Sequence, residues 1–425
     1  MTARQGSDFR SGGVRIDLDP KIKDAPMARI PLNKNMLGRE EIEAAKAVLD
    51  SGRLTMGERC FAFERAFADY LGVKHAVMVN SGSSANLLTM FALANPLVPA
   101  GNGLPPRIAP GSEIIVPALT WSTTIWPVLQ IGATPVFVDC DPRTLQMQSD
   151  AIEAAITPKT SAIVVVHVLG GAVSMTDVQS AAERHGLWLF EDTCESLGVL
   201  WDGKRVGSFG QVASFSFYFS HHITTIEGGM VVTDDERLAE LLRVMRAHGW
   251  ARNMDDPDAV ASRYPDIDGR FLFITSGFNL RPMEINAAIG LRQLERLAGF
   301  NESRRRIAQR LDRELATLDQ SGQLSLIRHD PRVTPAPFGY TVLCPARDVR
   351  DGLIKHLEKA GIETRPVICG NLTRQPALAH FCYKTSGELA GANRVMDCGL
   401  YWGSHPDMTD DDINYIATTV KAYFQ

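Results

Sequence analysis

The sequence predicts an α/β fold, in which a large, mostly parallel sheet domain is followed by a smaller α+β domain at the C-terminus. The first observation is length, because 425 residues exceed what one small hydrophobic core organises. The second is an alternation of short β-rich runs with helical patterns over residues 76–233. This alternation is typical of parallel strands that are covered by helices.

Seven strands are predicted in the alternating region, at residues 76–79, 113–116, 135–138, 162–166, 187–190, 212–217 and 230–233. Several are continuous apolar runs, as expected for strands that are buried on both faces. Ligands of such sheets bind at the carboxyl ends of the strands. The polar residues that follow the strands are therefore the first candidates for a site.

The remaining patterns divide the chain into three parts. Residues 1–29 lack a hydrophobic period and predict a flexible arm. We expect a large cofactor-binding domain over residues 30–300 and a small C-terminal domain over 301–425. The helices predicted outside the sheet lie within 38–71 and at 283–298, 302–318, 349–360 and 410–422, and a further strand is predicted at 339–343.

Composition and charge argue against several classes of function. The formal net charge of −5 gives no reason to expect nucleic acid or a membrane surface as partner. No apolar stretch has the length of a membrane-spanning helix, and the N-terminus lacks a secretory apolar core, so we expect a cytoplasmic protein. The seven cysteines form no C-x-x-C pair, which argues against a disulfide framework, a zinc ribbon or an iron–sulfur cluster.

Two segments at strand ends carry polar residues that suit a ligand. Residues 80–86 (NSGSSAN) open a helix, where backbone N–H groups approach a phosphate. Residues 190–195 (FEDTCE) lie at the end of an apolar strand, where a carboxylate can bind a protonated ring nitrogen, as pyridoxal cofactors require. Taken alone, such patterns are more often an ordinary helix cap or a surface acid.

Two further segments follow along the chain. Residues 214–229 (SFSFYFSHHITTIEGG) run from an aromatic strand into two adjacent histidines, of which at most one faces a given pocket. Residues 277–283 (GFNLRPM) place Pro282 in the first turn of a helix, with Asn279 as a cap or a ligand contact. In isolation, the histidines are more often bonded to loop backbone, and Asn279 is more often a cap.

Taken together and in this order, the four segments resemble the DegT/DnrJ/EryC1/StrS sugar aminotransferase family. The similarity runs from about residue 30 to the C-terminus and includes residues 51–57 (SGRLTMG), 117–124 (PALTWSTT) and 132–139 (GATPVFVD). Each motif is weak, but their joint order is specific. The resemblance implies an aspartate-aminotransferase-like fold (fold type I) and a homodimer with shared active sites.

The resemblance also implies a pyridoxal or pyridoxamine phosphate cofactor and assigns residues to its phosphate group. The backbone of Gly82 and Ser83 would bind the phosphate together with the hydroxyl of Ser216. Asn279 would reach the phosphate of the cofactor in the neighbouring subunit.

The pyridine ring has three matching positions. Trp121 would stack on the ring, and Asp192 would pair with the ring nitrogen. Glu195 would lie near the ring hydroxyl.

One departure from the family pattern decides the predicted function. In the aminotransferases, a lysine five residues after the serine that matches Ser216 anchors the cofactor covalently, and here that position is His221. No lysine occurs between Arg205 and Ile354. Imidazole moves protons near neutral pH but does not anchor pyridoxal, so the resemblance implies a non-covalent cofactor and an acid–base role for His221. The register from Ser216 favours His221 over His222 as the base.

Within the family, this replacement marks the 3-dehydratases of keto sugars. The resemblance to the branch that acts on GDP-4-keto-6-deoxymannose implies removal of the C-3 hydroxyl from a nucleotide-linked 4-keto-6-deoxy sugar, in deoxysugar or O-antigen biosynthesis. It also implies an amino donor such as glutamate and a retained half-transaminase activity. The predicted substrate contacts are His222, His248, Arg252 and Arg365, with Arg246 as a further candidate for the diphosphate.

Three alternatives remain open at this point. A nucleotide-sugar aminotransferase would add an amino group instead of removing a hydroxyl. The CDP-4-keto-6-deoxyglucose 3-dehydrases carry a cysteine-ligated iron–sulfur cluster, and the absence of cysteine between Cys194 and Cys344 argues against that branch. A non-catalytic binding protein on the same fold is the third alternative.

Overall fold

A computed structural model describes residues 29–101 and 103–425, so the predicted arm lies outside the described residues except for Arg29. The strands are β1 (His75–Val79), β2 (Glu113–Pro117), β3 (Thr134–Val138), β4 (Thr160–Val166), β5 (Trp188–Asp192), β6 (Leu200–Trp201), β7 (Lys204–Arg205), β8 (Val212–Ser216), β9 (Gly229–Thr233), β10 (Ser325–Leu326), β11 (Val333–Thr334), β12 (Gly339–Leu343), β13 (Thr364–Arg365), β14 (Lys384–Thr385) and β15 (Gly399–Gly403). The α-helices are α1 (Arg39–Ser51), α2 (Glu58–Leu71), α3 (Gly82–Leu93), α4 (Ser122–Gln130), α5 (Ser149–Ala155), α6 (Met175–His185), α7 (Glu236–Arg246), α8 (Pro257–Ala261), α9 (Glu284–Gln320), α10 (Arg347–Lys359), α11 (Ala390–Cys398) and α12 (Asp410–Tyr423). Among the described residues, no helix combines the length and the apolar character that crossing a membrane requires.

Eight strands form one large sheet in the order β1-β9-β8-β5-β4-β2-β3-β14. All run parallel except β9, which is antiparallel to both of its neighbours. The prediction of a large, mostly parallel sheet is confirmed. Strands β2, β5 and β8 are buried along their whole length. Alternate residues of β4 face opposite layers, so that Ile163 packs into one hydrophobic core and Val164 into another.

Helix α9 is a single helix of 37 residues, where the sequence predicts two helices separated near residue 300. The prediction of two helices was wrong, because the residues between them, 299–301, are helical as well. Gly299 costs about 1 kcal/mol relative to alanine in a helix interior, which a continuous buried face outweighs. Leu297, Phe300 and Ile307 carry that face across the glycine.

The C-terminal part forms a four-stranded antiparallel sheet in the order β10-β12-β15-β13. It also pairs with strands from earlier in the chain. Strand β14 pairs with β3 at the edge of the large sheet, and β11 pairs with β6 in a separate three-stranded sheet, β11-β6-β7. Ile30, near the start of the described chain, packs into the core of the C-terminal part. The expected boundary at 300/301 falls inside α9, and a division of the chain there remains a prediction.

Candidate active site

A cavity of about 390 Å³ lies where β5 and β8 end and α3 begins. This position agrees with the rule that α/β sheets bind ligands at the carboxyl ends of their strands. Seven of the predicted site residues line the cavity, namely Gly82, Ser83, Trp121, Asp192, Glu195, Ser216 and His221. The structure therefore brings together residues that lie up to 139 positions apart in the sequence.

The first turn of α3 forms one wall of the cavity and suits an anion. Ser81 caps the helix by accepting a hydrogen bond from the backbone N–H of Ser84 at 3.0 Å. The N–H groups of Gly82 and Ser83 belong to the first turn, where an α-helix offers unpaired donors and the positive end of its dipole. A Cβ atom on Gly82 would lie 2.4 Å from the Cβ of Ser216, so only glycine lets this backbone and that hydroxyl approach the same point.

Asp192 ends β5 as a buried carboxylate held by three donors. Its Oδ2 accepts hydrogen bonds from Asn86 Nδ2 and Thr124 Oγ1, both at 2.8 Å, and its Oδ1 accepts from the backbone N–H of Cys194 at 3.2 Å. Ser214 Oγ in turn donates to Asn86 Oδ1 at 2.5 Å. A carboxylate fixed in this way suits a cationic ring nitrogen, because burying it without a counter-charge is unfavourable.

Glu195 is a second carboxyl group that lines the cavity, and its side chain is half-buried. Burial raises the pKa of Glu195 to about 7, and the neighbouring charge of Asp192 acts in the same direction. The backbone N–H of Leu169 donates to Glu195 Oε2 at 3.2 Å and opposes the shift. A carboxyl group that titrates near neutral pH can accept or donate a hydrogen bond to a ring hydroxyl.

Trp121 precedes α4 at the mouth of the cavity, and its side chain is 54% exposed. A large aromatic surface in this position lacks an internal packing partner, which suits stacking against a flat ligand.

His221 also lines the cavity and sits edge-on to two aromatic rings. The ring centroids of Phe338 and Tyr218 lie 5.1 and 5.8 Å from that of His221. Burial, with the positive charge of Arg304, lowers the pKa of His221 to about 3. The imidazole is therefore neutral at neutral pH and able to accept a proton. Its Nδ1 is buried without a partner, which leaves Nε2 as the nitrogen for proton transfer.

Two predicted substrate contacts are buried away from the cavity, and their roles remain predictions. His222 is buried away from the cavity, and its Nε2 donates to the carbonyl of Ala336 at 2.8 Å. Arg246 is also buried, with Nη1 bonded at 2.6 Å to both Glu64 Oε1 and the carbonyl of Met78. His222 points away from the cavity because adjacent residues of a turn point in different directions. Arg246 is held inside the fold by its ion pair with Glu64.

Four other predicted contacts lie outside the cavity, and their roles remain predictions. Arg252 stacks on Trp250 with its guanidinium carbon 3.5 Å from the ring centroid, and His248 lies beside the same indole. Asn279 accepts a hydrogen bond from the neighbouring Arg281. Arg365 pairs with Tyr401 across the small sheet, which brings it beside the cavity because Tyr401 lines it.

Several lining residues are not among the predicted ones, namely Asn86, Thr124, Cys194, Tyr218, Ser220, Glu227, Phe338, Ile368 and Tyr401. Asn86 had a sequence signal, because it lies one helical turn after Gly82 in the polar segment 80–86. Phe338 and Tyr401 had none, because they arrive from the C-terminal part through tertiary packing.

The family model described as "DegT/DnrJ/EryC1/StrS aminotransferase family" matches residues 35–421 of the chain. The GDP-4-keto-6-deoxy-D-mannose 3-dehydratase of Yersinia pseudotuberculosis is 36% identical over 407 residues, which cover 93% of this chain and 99% of that protein. The solved structure of E. coli GDP-4-keto-6-deoxy-D-mannose-3-dehydratase with bound hydrated PLP superimposes with a TM-score of 0.85 at 35% identity, covering 93% of this chain and 100% of that one.

A further solved structure, GDP-4-keto-6-deoxymannose-3-dehydratase with a trapped PLP-glutamate geminal diamine, superimposes with a TM-score of 0.84 at 34% identity. It covers 92% of this chain and 100% of that one. These superpositions confirm the aspartate-aminotransferase-like fold that the sequence predicts. Family match, identity and shared fold lead to one conclusion: the chain belongs to the DegT/DnrJ/EryC1/StrS aminotransferase family.

Proposed function

We propose that the protein is a pyridoxamine-phosphate-dependent 3-dehydratase of a nucleotide-linked 4-keto-6-deoxy sugar, with GDP-4-keto-6-deoxymannose as the favoured substrate. The observation that carries the proposal is that a neutral imidazole, His221, and a fixed carboxylate, Asp192, line the same cavity. None of the described residues that line this cavity is a lysine. The relatives named above, which share most of their length with this chain, are dehydratases of this sugar.

The residues of the cavity fit a pyridoxamine phosphate that is held without a covalent bond. The N–H groups of Gly82 and Ser83 and the hydroxyl of Ser216 would bind the phosphate, and Trp121 would cover one face of the ring. When bound, pyridoxamine phosphate supplies an amine that condenses with the keto group and a ring that takes up negative charge.

The carboxyl groups would define the electronic state of the ring. Asp192 would hold a proton on the ring nitrogen, because its carboxylate is buried and oriented by Asn86 and Thr124. Glu195, whose Oε2 accepts a hydrogen bond from the backbone N–H of Leu169, would lie near the ring hydroxyl. A protonated ring nitrogen makes the ring a better acceptor of charge, which is the condition for expelling a hydroxyl group.

His221 would carry the proton transfers. Its neutral Nε2 accepts a proton, and the protonated imidazole then donates that proton to the departing C-3 hydroxyl, which leaves as water. Tyr218 and Phe338 flank the imidazole and limit the access of solvent to it. The products are ammonia and a 4-keto-3,6-dideoxy sugar, and an amino acid such as glutamate would restore the amine.

We further propose a cytoplasmic homodimer with shared active sites. Several large apolar side chains are exposed in the single chain: Trp121 and Tyr218, which line the cavity, and Ile226 and Met283 are each at least 46% exposed. Exposed apolar side chains that gather into a patch are typical of an interface. Asn279 would then reach the cofactor of the partner subunit.

A mass-spectrometric assay tests the proposed reaction. The protein is incubated with pyridoxal phosphate, glutamate and either GDP-4-keto-6-deoxymannose or CDP-4-keto-6-deoxyglucose. We expect the GDP sugar to lose one oxygen while ammonia is released. A gained amino group would instead indicate an aminotransferase, and turnover of the CDP sugar alone would overturn the choice of nucleotide.

The mode of cofactor binding has a separate test that needs no sugar. The protein loaded with pyridoxal phosphate is treated with borohydride, denatured and passed through a desalting column. We expect the cofactor to separate from the polypeptide, because no lysine of the described part of the chain lines the cavity. Cofactor that remains covalently attached would contradict this, and a protein that never binds it would favour a non-catalytic role.

A further inference from the structure

Arg304 is a buried cation on α9 whose side chain makes no ion pair with any described carboxylate. The residue is 2% exposed, and its Nη1 donates to the backbone carbonyls of Pro337, Phe338 and Ser404 at 3.3, 2.9 and 3.0 Å. Its Nε is buried without a partner. Burying a charge without a counter-ion is unfavourable for folding, so fold stability alone gives a poor account of this residue.

The carbonyls that Arg304 binds belong to the segment that forms the wall behind the two histidines. The ring of Phe338 lies edge-on to His221, with centroids 5.1 Å apart, and also contacts the ring of His222 at 5.6 Å. His222 is bonded to the carbonyl of Ala336 in the same segment. Residues 336–338 therefore connect the arginine on α9 with the imidazole in the cavity.

We propose that Arg304 is a positioning residue for His221, which fixes the 336–338 segment and thereby holds the Phe338 ring against the imidazole. The bond to the carbonyl of Ser404 ties the same guanidinium to the end of the small sheet. The orientation of the base thus depends on how α9, the 336–338 segment and the small sheet pack together. This inference rests on the proposed function, because it assigns Arg304 to the base of that reaction.

The positive charge of Arg304 also acts on the histidines directly. Burial and this charge both lower the pKa of His221 and of His222. The other titratable groups near His221 are the cavity-lining Asp192, Cys194, Glu195, Tyr218, Glu227 and Tyr401. Protonated His221 would lie near the permanent positive charge of Arg304. Repulsion between the two charges favours transfer of the proton to a leaving group.

The test compares three variants in the full-length protein. Arg304→Met removes the charge and the donors, Arg304→Lys keeps a cation with several donors, and Arg306→Met removes an exposed arginine from the same helix. We expect kcat to fall by at least about tenfold in Arg304→Met, with KM and cofactor binding near the wild-type values. Arg304→Lys should recover most of the rate, and Arg306→Met should match the wild type. Wild-type kcat in Arg304→Met would overturn the proposal.

A second readout needs neither substrate nor cofactor. The ring proton resonances of His221, identified by their loss in His221→Asn, report the position of Phe338 through its ring current. They should shift in Arg304→Met and stay in place in Arg306→Met, and an unmoved His221 resonance would overturn the proposal. If the wild-type protein does not dehydrate the sugar, the proposed function fails while this measurement still decides the role of Arg304.

Phe338→Leu covers the case in which Arg304→Met does not fold. It leaves Arg304 and its carbonyl partners intact and removes only the ring that the segment presents. A loss of kcat with unchanged KM is expected, whereas wild-type kcat would show that the wall does not position the base.

Discussion

The proposed chemistry depends on one imidazole that the fold leaves without a hydrogen-bond partner. His221 and His222 are adjacent and both lie against Phe338, yet they differ in their hydrogen bonds and in their access to the cavity. His222 is fixed by the carbonyl of Ala336, whereas His221 faces the cavity with one nitrogen accessible. A histidine bonded to backbone is a structural group, and one that faces a cavity unbonded is available for proton transfer.

Replacing His221 by asparagine should abolish dehydration and leave cofactor binding intact. Asparagine is polar and of similar size but has no basic nitrogen, and a general base contributes a factor of about 10²–10⁴ to a rate. The rate of oxygen loss from the sugar and the absorbance of bound cofactor are the two measurements.

His222→Asn is the matched control for that variant. It should lower stability, because a buried bond to Ala336 is changed, while dehydration persists. The opposite pattern, with dehydration retained in His221→Asn and lost in His222→Asn, would transfer the role of base to His222.

Replacing Asn86 by alanine should weaken cofactor binding through Asp192. Asp192 loses one of its two side-chain donors, and the hydroxyl of Ser214 loses its acceptor. Unpaired buried polar groups cost about 1–3 kcal/mol, so a fall in stability of that order is expected as well. Titration with pyridoxamine phosphate and denaturant unfolding measure the two effects.

Asn95→Ala separates these two effects. Asn95 is also buried but bonds to Thr275, and it does not line the cavity. Its replacement should reduce stability by a similar amount without changing cofactor affinity. Equal affinity losses in both variants would mean that Asn86 acts only through the fold.

Site residues could be predicted where the residue type itself carries the chemistry. Asp192 ends one strand and His221 follows another, at the edge where a sheet presents its ligands, and both line the cavity. The donors that orient Asp192 could not be predicted, because a sequence does not say which polar side chains satisfy a buried carboxylate. Phe338 was beyond reach for another reason, since more than 100 residues separate it from His221.

At the scale of elements, eight of the fifteen strands, β1–β5, β8, β9 and β12, were predicted within one or two residues because apolar runs mark them, and the seven others were not predicted. The end of β5 is instructive: the predicted strand stops at Phe190, but the structure extends it to Asp192. Glu191 and Asp192 are polar yet buried, since each is bonded by several donors. In a sequence pattern, a predicted strand ends where polar residues begin. In the fold, the strand continues through polar residues whose side chains are hydrogen-bonded.

Replacing Gly299 by alanine should stabilise the protein by about 0.5–1 kcal/mol. The residue lies within α9, and an added Cβ would meet no atom within 4 Å. Alanine restricts the unfolded chain and favours the helix, without a steric cost here. Urea unfolding measures the difference, and a destabilised variant would mean that α9 bends or breaks at this point.

Replacing Gly82 by alanine should instead weaken phosphate binding. The added Cβ would lie 2.4 Å from the Cβ of Ser216 and 3.1 Å from the sulfur of Cys194, so the first turn of α3 must move away from β8. Affinity for pyridoxal phosphate and for inorganic phosphate should fall together. Gly299→Ala is the control for a glycine replaced outside the site, and unchanged affinity in Gly82→Ala would argue against this turn as the phosphate site.

At the scale of the whole molecule, the site is completed by contacts between distant parts of the chain. The large sheet supplies Asp192 and Ser216, while Phe338 and Tyr401 come from the C-terminal part. Helix α9 spans both, and Arg304 ties it to the 336–338 segment and to Ser404. Movement between the large-sheet part and the C-terminal part would therefore alter the position of Phe338 beside His221. Gly82 and Ser216, which would bind the phosphate, both belong to the large-sheet part and would move together.

The stability of the cofactor-free protein should fall as the pH is lowered below neutral. Burial and the charge of Arg304 lower the pKa of His221 and of His222 to about 3 and that of His405 to about 4. In the unfolded chain each titrates near 6.5, so between these values the unfolded state binds more protons and acid favours unfolding. The raised pKa of Glu195 opposes this, because its native carboxyl group takes up a proton between about 7 and 4.5.

Between pH 7.5 and 5.5, the three histidines together should contribute a loss of about 4 kcal/mol and Glu195 a gain of about 2 kcal/mol, which leaves a net loss of about 2 kcal/mol. Urea unfolding at the two pH values measures it. His222→Asn removes one of the three histidines, so its stability should depend less on pH than that of the wild type by about one proton. A wild-type protein that keeps or gains stability at pH 5.5 would show that these histidines are hydrated or paired in solution, and the neutral state assigned to His221 would then lose its basis.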